Sequence, residues 1–86
     1  MRIFYHHRFD KHFCKLPVKI QQKIIEKIAL FRDDPFNPLL NNHALSGRQE
    51  GIRSISITGD FRAIYDPVSA SDALFIDIGT HSQLYG

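Results

Sequence analysis

The sequence predicts an α+β fold in which an N-terminal strand and two helices pack on an antiparallel sheet that ends in a three-strand meander. Two helical apolar patterns lie between residues 9 and 32, and three strand patterns separated by turn residues follow residue 51. Because the helical patterns precede the meander, we expect the helices to cover one face of the sheet. A chain of 86 residues has the length of one domain, and we expect that domain to span residues 1–86.

A strand and a short helix are expected at the N-terminus. Residues 2–6 (RIFYH) are mostly β-branched or aromatic, a composition that predicts a strand. Phe9, Phe13 and Leu16 recur at the i, i+4, i+7 spacing that places side chains on one helical face. Pro17 is expected to end this helix, because a proline lacks the N–H and disfavours helical geometry in the residue before it.

A second and longer helix is expected from Val18 to Arg32. Its apolar stripe consists of Ile20, Ile24, Ile28 and Phe31, and Ile25 widens it. The lysines lie off this stripe, so the helix is amphipathic with a basic outer face. Residues 35–42 (PFNPLLNN) contain two prolines and three asparagines and are expected to form a loop.

The meander is expected from residue 52 onwards. Serine and threonine alternate with Ile55 and Ile57, a period of two that predicts a strand with one apolar face. Gly59 and Asp60 predict a tight hairpin turn. A strand is expected at Phe61–Asp66 and a turn at Pro67–Asp72. The last strand is expected at Ala73–Ile78 and is apolar enough to be central in the sheet.

Composition narrows the classes of protein without choosing among them. The net charge of +2 with neutral histidines is only a mild preference for polyanions. No apolar run approaches the roughly 20 residues of a membrane span, and residues 1–10 lack the apolar region of a secretory signal. A single cysteine, Cys14, cannot form an internal disulfide, and we expect it to be buried beside Phe13. We therefore expect a cytoplasmic protein without membrane association.

Chemistry-bearing residues remain after the common site motifs are excluded. The sequence has no cysteine pair, no H-E-x-x-H, no G-x-S-x-G and no glycine-rich phosphate loop, so we expect neither metal nor cofactor. Titratable and cationic side chains stand at the predicted strands, turns and loops of the second half: His43, Arg53, Asp60, Arg62, His81 and Tyr85.

These residue types suit cleavage of an RNA strand by its own 2′-hydroxyl. That reaction needs a base, an acid and cations at the phosphate, and histidine serves as acid or base near its pKa of about 6.5. Arginine holds a phosphate through two hydrogen bonds, and an aromatic such as Tyr85 or Phe61 stacks on an unpaired base. Residue types alone leave ordinary structural roles open for every one of these side chains.

The second half resembles the YafQ branch of the RelE/ParE toxin superfamily. Four segments carry the resemblance: NHALSG at 42–47, GIR at 51–53, GDFRAIY at 59–65 and IGTHSQLYG at 78–86. The resemblance implies a type II toxin that cuts mRNA in the ribosomal A site without a metal. Its implied partners are the ribosome, mRNA and a cognate antitoxin that joins it in a hetero-oligomer.

The resemblance also implies roles for individual residues. His43, Asp60 and His81 fall on catalytic positions, and Tyr85 falls on the C-terminal aromatic of the site. We expect His81 to be the acid or base nearest the scissile phosphate, with His43 and Asp60 sharing the complementary role. The residues expected to contact RNA are Arg53, Arg62, Phe61 and Ser56.

Ser56 marks a departure from the family pattern, which has a histidine at this position. Serine cannot act as a general base or carry a positive charge, so activity is expected to be lower, or the roles redistributed, if that histidine is essential. Because Ser56 alternates with Ile55 and Ile57, we expect it to face the open side of the sheet, where its hydroxyl can hydrogen-bond a phosphate.

Two other functions stay open at this point. A ParE-type toxin shares the fold and poisons DNA gyrase, although blocking an enzyme does not need the His43 and His81 pair. A catalytically inactive module that only binds an antitoxin is kept open by Ser56.

Overall fold

A computed structural model describes residues 1–85 and confirms the α+β class, with three α-helices and one five-stranded sheet in that range. In chain order the elements are β1 (Arg2–Tyr5), α1 (His7–Cys14), α2 (Val18–Asp33), β2 (His43–Ala44), β3 (Arg53–Ser56), β4 (Phe61–Ser69), β5 (Asp72–Thr80) and α3 (His81–Tyr85). Short 3₁₀ turns occupy Pro38–Leu40 and Gly47–Gln49. No helix within residues 1–85 is long and apolar enough to cross a membrane.

The sheet is mixed, with the strand order β1-β5-β4-β3-β2. Strands β3, β4 and β5 form the predicted antiparallel meander. The N-terminal strand joins the sheet as predicted, but it runs parallel to β5, from the Arg2–Asp72 pair to the Tyr5–Phe75 pair. The last strand of the meander is therefore central, which agrees with its apolar sequence.

The core lies between the sheet and the helices α1 and α2. The predicted stripe of α2 supplies Ile24, Ile28 and Phe31, all buried, while Ile25 stays exposed. The buried side chains they pack with come from α1, the loop after α2 and the sheet: Phe9, Leu40, Ile55, Ile57, Ala63, Tyr65, Ala73, Phe75 and Ile78. Cys14 is exposed, contrary to expectation, because one residue turns a helix by about 100° and moves it off the face of Phe13.

The β4–β5 turn also differs from its prediction. The turn was expected over Pro67–Asp72, yet β4 continues to Ser69 and only residues 70 and 71 connect it to β5. The pairing register shifts between Asp66 and Ser69. Pro67 lies at this shift. Because a proline lacks an N–H, a strand accommodates it at an irregularity of the pairing, where no ladder hydrogen bond is lost.

An ion pair attaches β1 to β5 and makes stability depend on pH. Arg2 donates from Nε to Asp72 Oδ1 at 2.7 Å and from Nη2 to Oδ2 at 3.1 Å. This hydrogen bonding, with a further one from Ser69, lowers the pKa of Asp72 below its ordinary value of 3.8. A lowered carboxyl pKa contributes stability that is fully present above the ordinary pKa and is lost as the pH falls through the folded one.

Replacing Asp72 with asparagine is therefore expected to remove this acid-sensitive contribution. In urea unfolding, the difference in the free energy of unfolding between wild type and Asp72→Asn should be constant from pH 7 to about pH 5 and shrink below it. A difference that grows on acidification would contradict the assignment of the Asp72 pKa.

Candidate active site on the open face of the sheet

The candidate site lies on the side of the sheet away from the core. Directly paired residues of neighbouring strands share a face, and His43 pairs with Ser54 while Ser56 pairs with Arg62. Ile55, between the two serines, points into the core, so these four residues point the other way. We call the side that carries His43, Ser54, Ser56 and Arg62 the open face. The expectation that Ser56 faces the open side agrees with this register.

His43 stands on an edge strand rather than in the predicted loop. Two residues of β2 pair with β3, and no local pattern announces so short a strand. The Nδ1 atom of His43 lies 2.9 Å from the carbonyl oxygen of Asn41. A carbonyl only accepts hydrogen bonds, so Nδ1 carries the proton and the neutral ring keeps its lone pair on Nε2. The exposed ring of His43 is thus suited to accept a proton.

His81 begins a short helix that the sequence analysis did not predict. Gln83 Oε1 accepts from the Thr80 N–H at 2.8 Å, and the Gln83 N–H donates to Thr80 Oγ1 at 3.3 Å. These reciprocal bonds are a capping box, and the T-x-x-Q spacing was the signal that could have revealed it. The His81 N–H donates to the Asp60 carbonyl at 3.1 Å, which ties α3 to the β3–β4 turn.

Gly79 leaves the space that α3 occupies on the open face. It pairs with Arg62, and a Cβ added to it would lie 2.9 Å from Gln83 Oε1 and 3.6 Å from Leu84 Cγ. The first distance is a clash with the atom that caps the helix, so any larger residue displaces the capping box.

Substitution of Gly79 by alanine is expected to cost about 1–3 kcal/mol of unfolding free energy, as overpacking does. The same change should cost markedly less in a Gln83→Ala background, because the clashing oxygen is gone. Urea unfolding of the four proteins measures this coupling. Gly59→Ala is the matched control, since nothing lies within 4 Å of its added Cβ. Additive losses from Gly79→Ala and Gln83→Ala would show that the capping box does not depend on Gly79.

Tyr85 connects the sheet to His81. Its hydroxyl is hydrogen-bonded to Ser54 Oγ, a fully buried side chain, and its ring meets the His81 ring edge-on with centroids 4.6 Å apart. The hydroxyl is therefore engaged inside the protein, and the ring is the part of Tyr85 that contacts His81. Ser54 is not among the predicted site residues, and its only signal in the sequence is its position in the alternation beside Ile55.

Arg62 is held in place by the hairpin turn. Its Nη1 atom donates to the carbonyls of Thr58, Gly59 and Phe61 at 3.0, 3.1 and 3.0 Å. Within residues 1–85 its Nε and Nη2 atoms have no hydrogen-bond partner, so the guanidinium keeps donors for an anion. Its neighbour across the strand pair, Ser56, adds a hydroxyl on the same face.

Two of the predicted RNA contacts lie elsewhere. Phe61 packs against the core on the helix-covered side, and Arg53 pairs with a core residue of β4. Arg53 donates from Nε to Asn42 Oδ1 at 2.8 Å, and its guanidinium lies 5.2 Å from the centre of the Phe36 ring. The structure does not bring these two side chains together with the open face. Arg53 instead anchors the segment that leads into His43.

The arrangement offers acid–base groups and a cation on one surface. His43 and Arg62 share the open face by register, His81 and Tyr85 lie on the helix that packs there, and Asp60, exposed in the turn, is joined to His81 through its backbone. Within the described residues, no three His, Cys, Asp or Glu side chains are placed to hold a metal ion. Proton transfer at an anionic ester is the chemistry that these groups can support.

Solved structures with this fold include bacterial toxins. YafQ from Escherichia coli BL21(DE3) is 25% identical, with a TM-score of 0.80 and complete coverage of both chains. A YoeB/ParE toxin from Agrobacterium tumefaciens is 21% identical over 94% of this chain and 99% of that one, with a TM-score of 0.78. The chain therefore has the fold of these solved bacterial toxins.

The particular family follows from the sequence as a whole. A family model described as a bacterial toxin of type II toxin–antitoxin systems, YafQ, matches residues 1–86. The chain therefore belongs to the YafQ family of type II toxins, and the resemblance noted in its second half is confirmed. No curated protein matches the sequence significantly.

Proposed function

We propose that this toxin is a ribosome-dependent mRNA endonuclease that works by metal-independent acid–base cleavage. The observation that carries the proposal is the placement of His43, His81 and the held guanidinium of Arg62 on the same side of the sheet, the open face. Neither a gyrase poison nor an inactive module needs two histidines and a cation with free donors on one surface.

The proposed reaction is attack by a ribose 2′-oxygen on the adjacent phosphorus. His43 Nε2 takes the 2′ proton, with Asp60 as the second candidate for this role. The new O–P bond forms a 2′,3′-cyclic phosphate as the bond to the 5′-oxygen breaks, and His81 gives that oxygen its proton. Arg62 stabilises the charge of the pentacoordinate phosphate, and Ser56 adds a neutral hydrogen bond there.

Tyr85 holds His81 in this scheme and offers its ring to a base. Its hydroxyl bond to Ser54 fixes the ring, and the edge-on contact limits the orientations of the His81 imidazole. Arg53 and Phe61 support the site indirectly, through the segment before His43 and through the core.

The proposed partners are the ribosome with its mRNA and a cognate antitoxin. Solved relatives include a chain of the E. coli DinJ–YafQ complex, 22% identical with a TM-score of 0.69. A chain of the RelBE2 toxin–antitoxin complex from Mycobacterium tuberculosis is 14% identical with a TM-score of 0.76. Unpaired donors on the open face suit an acidic antitoxin segment that covers the site in a hetero-oligomer. Because the proposed substrate is mRNA on the ribosome, the proposed location of the protein is the cytoplasm. The proposed functional unit is one domain over residues 1–86.

Primer extension on an mRNA translated in a purified system tests the proposal. We expect cuts within codons when the protein and ribosomes are both present, and none with naked mRNA. Absence of cuts by folded protein would overturn the proposal, and a supercoiling assay would then test gyrase poisoning. A protein that leaves growth unaffected when expressed without an antitoxin would be an inactive module.

A further inference from the structure

A second concave surface adjoins the candidate site. It encloses about 410 Å³ between α3 and the loop from β2 to β3, and Tyr85 belongs to both it and the site. Its lining consists of Ser46, Arg48, Gln49, Gln83, Leu84 and Tyr85. We call it the amide pocket, because two glutamines are among the residues that line it.

The two amides are oriented by the protein and still have hydrogen-bonding capacity. Gln83 uses Oε1 in the capping box, so its Nε2 is left as a donor. Gln49 donates from Nε2 to the Leu84 carbonyl at 3.5 Å, a weak bond, and its Oε1 has no partner within residues 1–85. The pocket therefore offers both a donor and an acceptor, and the edge of a nucleobase displays the same pair of functions.

A cation and an aromatic ring complete the pocket. Arg48 is exposed on the 3₁₀ turn Gly47–Gln49 and forms no ion pair or hydrogen bond with residues 1–85. An arginine of this kind is suited to a phosphate. Tyr85, whose ring is fixed through Ser54, supplies the flat apolar wall on which an unstacked base rests.

We infer that the amide pocket is a nucleobase subsite, in which Gln49 and Gln83 select one base of the mRNA codon next to the cleaved bond and Arg48 holds its phosphate. This inference rests on the proposed function and names the part of the substrate that decides where the cut falls. The contact is specific because an amide left without its partner base edge loses a hydrogen bond that it otherwise makes.

Cleavage of mRNAs that differ by one base of the A-site codon tests the subsite. Gln49→Leu keeps the size of the side chain and removes its polar atoms, so the preference for one base at a single codon position should fall about tenfold or more. Arg48→Ala should raise KM equally for all codons, since a phosphate contact carries no sequence information. Gln22→Leu, an exposed glutamine of α2, is the matched control and should change neither property.

A binding measurement keeps the two proposals separable. His81→Ala protein is titrated with 2′-O-methyl trinucleotides, which cannot be cut, and the amide signals of the pocket are followed by NMR. Chemical shift changes at Gln49 and Gln83 that depend on the trinucleotide sequence support the subsite. They do so even if the wild-type protein cuts no mRNA, a result that would overturn only the proposed function. Unchanged codon preference in Gln49→Leu, or shifts that are equal for all trinucleotides, would overturn the subsite.

Discussion

Replacing His81 with alanine is expected to lower the rate of mRNA cleavage by about 10²- to 10⁴-fold, the usual contribution of a positioned acid or base. The ring stands at the start of α3, where its backbone bond to Asp60 and the edge of Tyr85 hold it. Single-turnover cleavage on programmed ribosomes measures the loss directly.

A loss of cleavage by the His81→Ala variant reports on the chemical step only if the variant is nearly as stable as the wild type. His81 is exposed, so His81→Ala should unfold within about 1 kcal/mol of wild type, the scale of one aromatic contact. His7→Ala removes another exposed histidine, at the start of α1 and outside the open face, and should cut mRNA at the wild-type rate. Full growth inhibition by His81→Ala or by His81→Gln would remove His81 from the mechanism.

Replacing Phe31 with alanine is expected to have the largest effect on stability, about 3–5 kcal/mol of unfolding free energy. The side chain is fully buried, and its ring meets Tyr65 and Phe75 edge-on with centroids 4.8 and 5.2 Å away. Alanine would leave a cavity where α2 crosses the sheet. The total free energy of unfolding of a domain of this length is only about 4–13 kcal/mol, so this loss would unfold a large fraction of the molecules if the wild type lies at the lower end.

Thermal and urea unfolding measure this loss, and Ile25→Ala is the matched control on the same helix. Ile25 is 60% exposed, so its truncation should change stability by no more than about 0.5 kcal/mol. For Phe31→Ala the melting temperature should fall by about 12 °C or more. Equal losses from the two variants would mean that α2 does not present the Phe31 side to the core.

The elements with a strong local period were predictable because their patterns are written in neighbouring residues. The stripe of Ile24, Ile28 and Phe31 fixes which side of α2 is buried, and the alternation around Ile55 fixes the faces of β3. Elements that depend on residues far away in the chain were not predictable in this way. The two-residue strand of His43 exists only through pairing with β3, whereas α3 carries a local signal, the T-x-x-Q capping box of Thr80 and Gln83, that the predicted elements did not include.

The sequence by itself determined the α+β class, the order of the long elements and the residue types able to do acid–base chemistry. Only the tertiary structure decided which of those residues share a surface. Register places His43, Ser56 and Arg62 on the open face and sends Arg53 and Phe61 to the other side. The physical reason is that a shift of one residue in strand pairing reverses every side chain, and pairing is set by contacts between segments far apart in the chain.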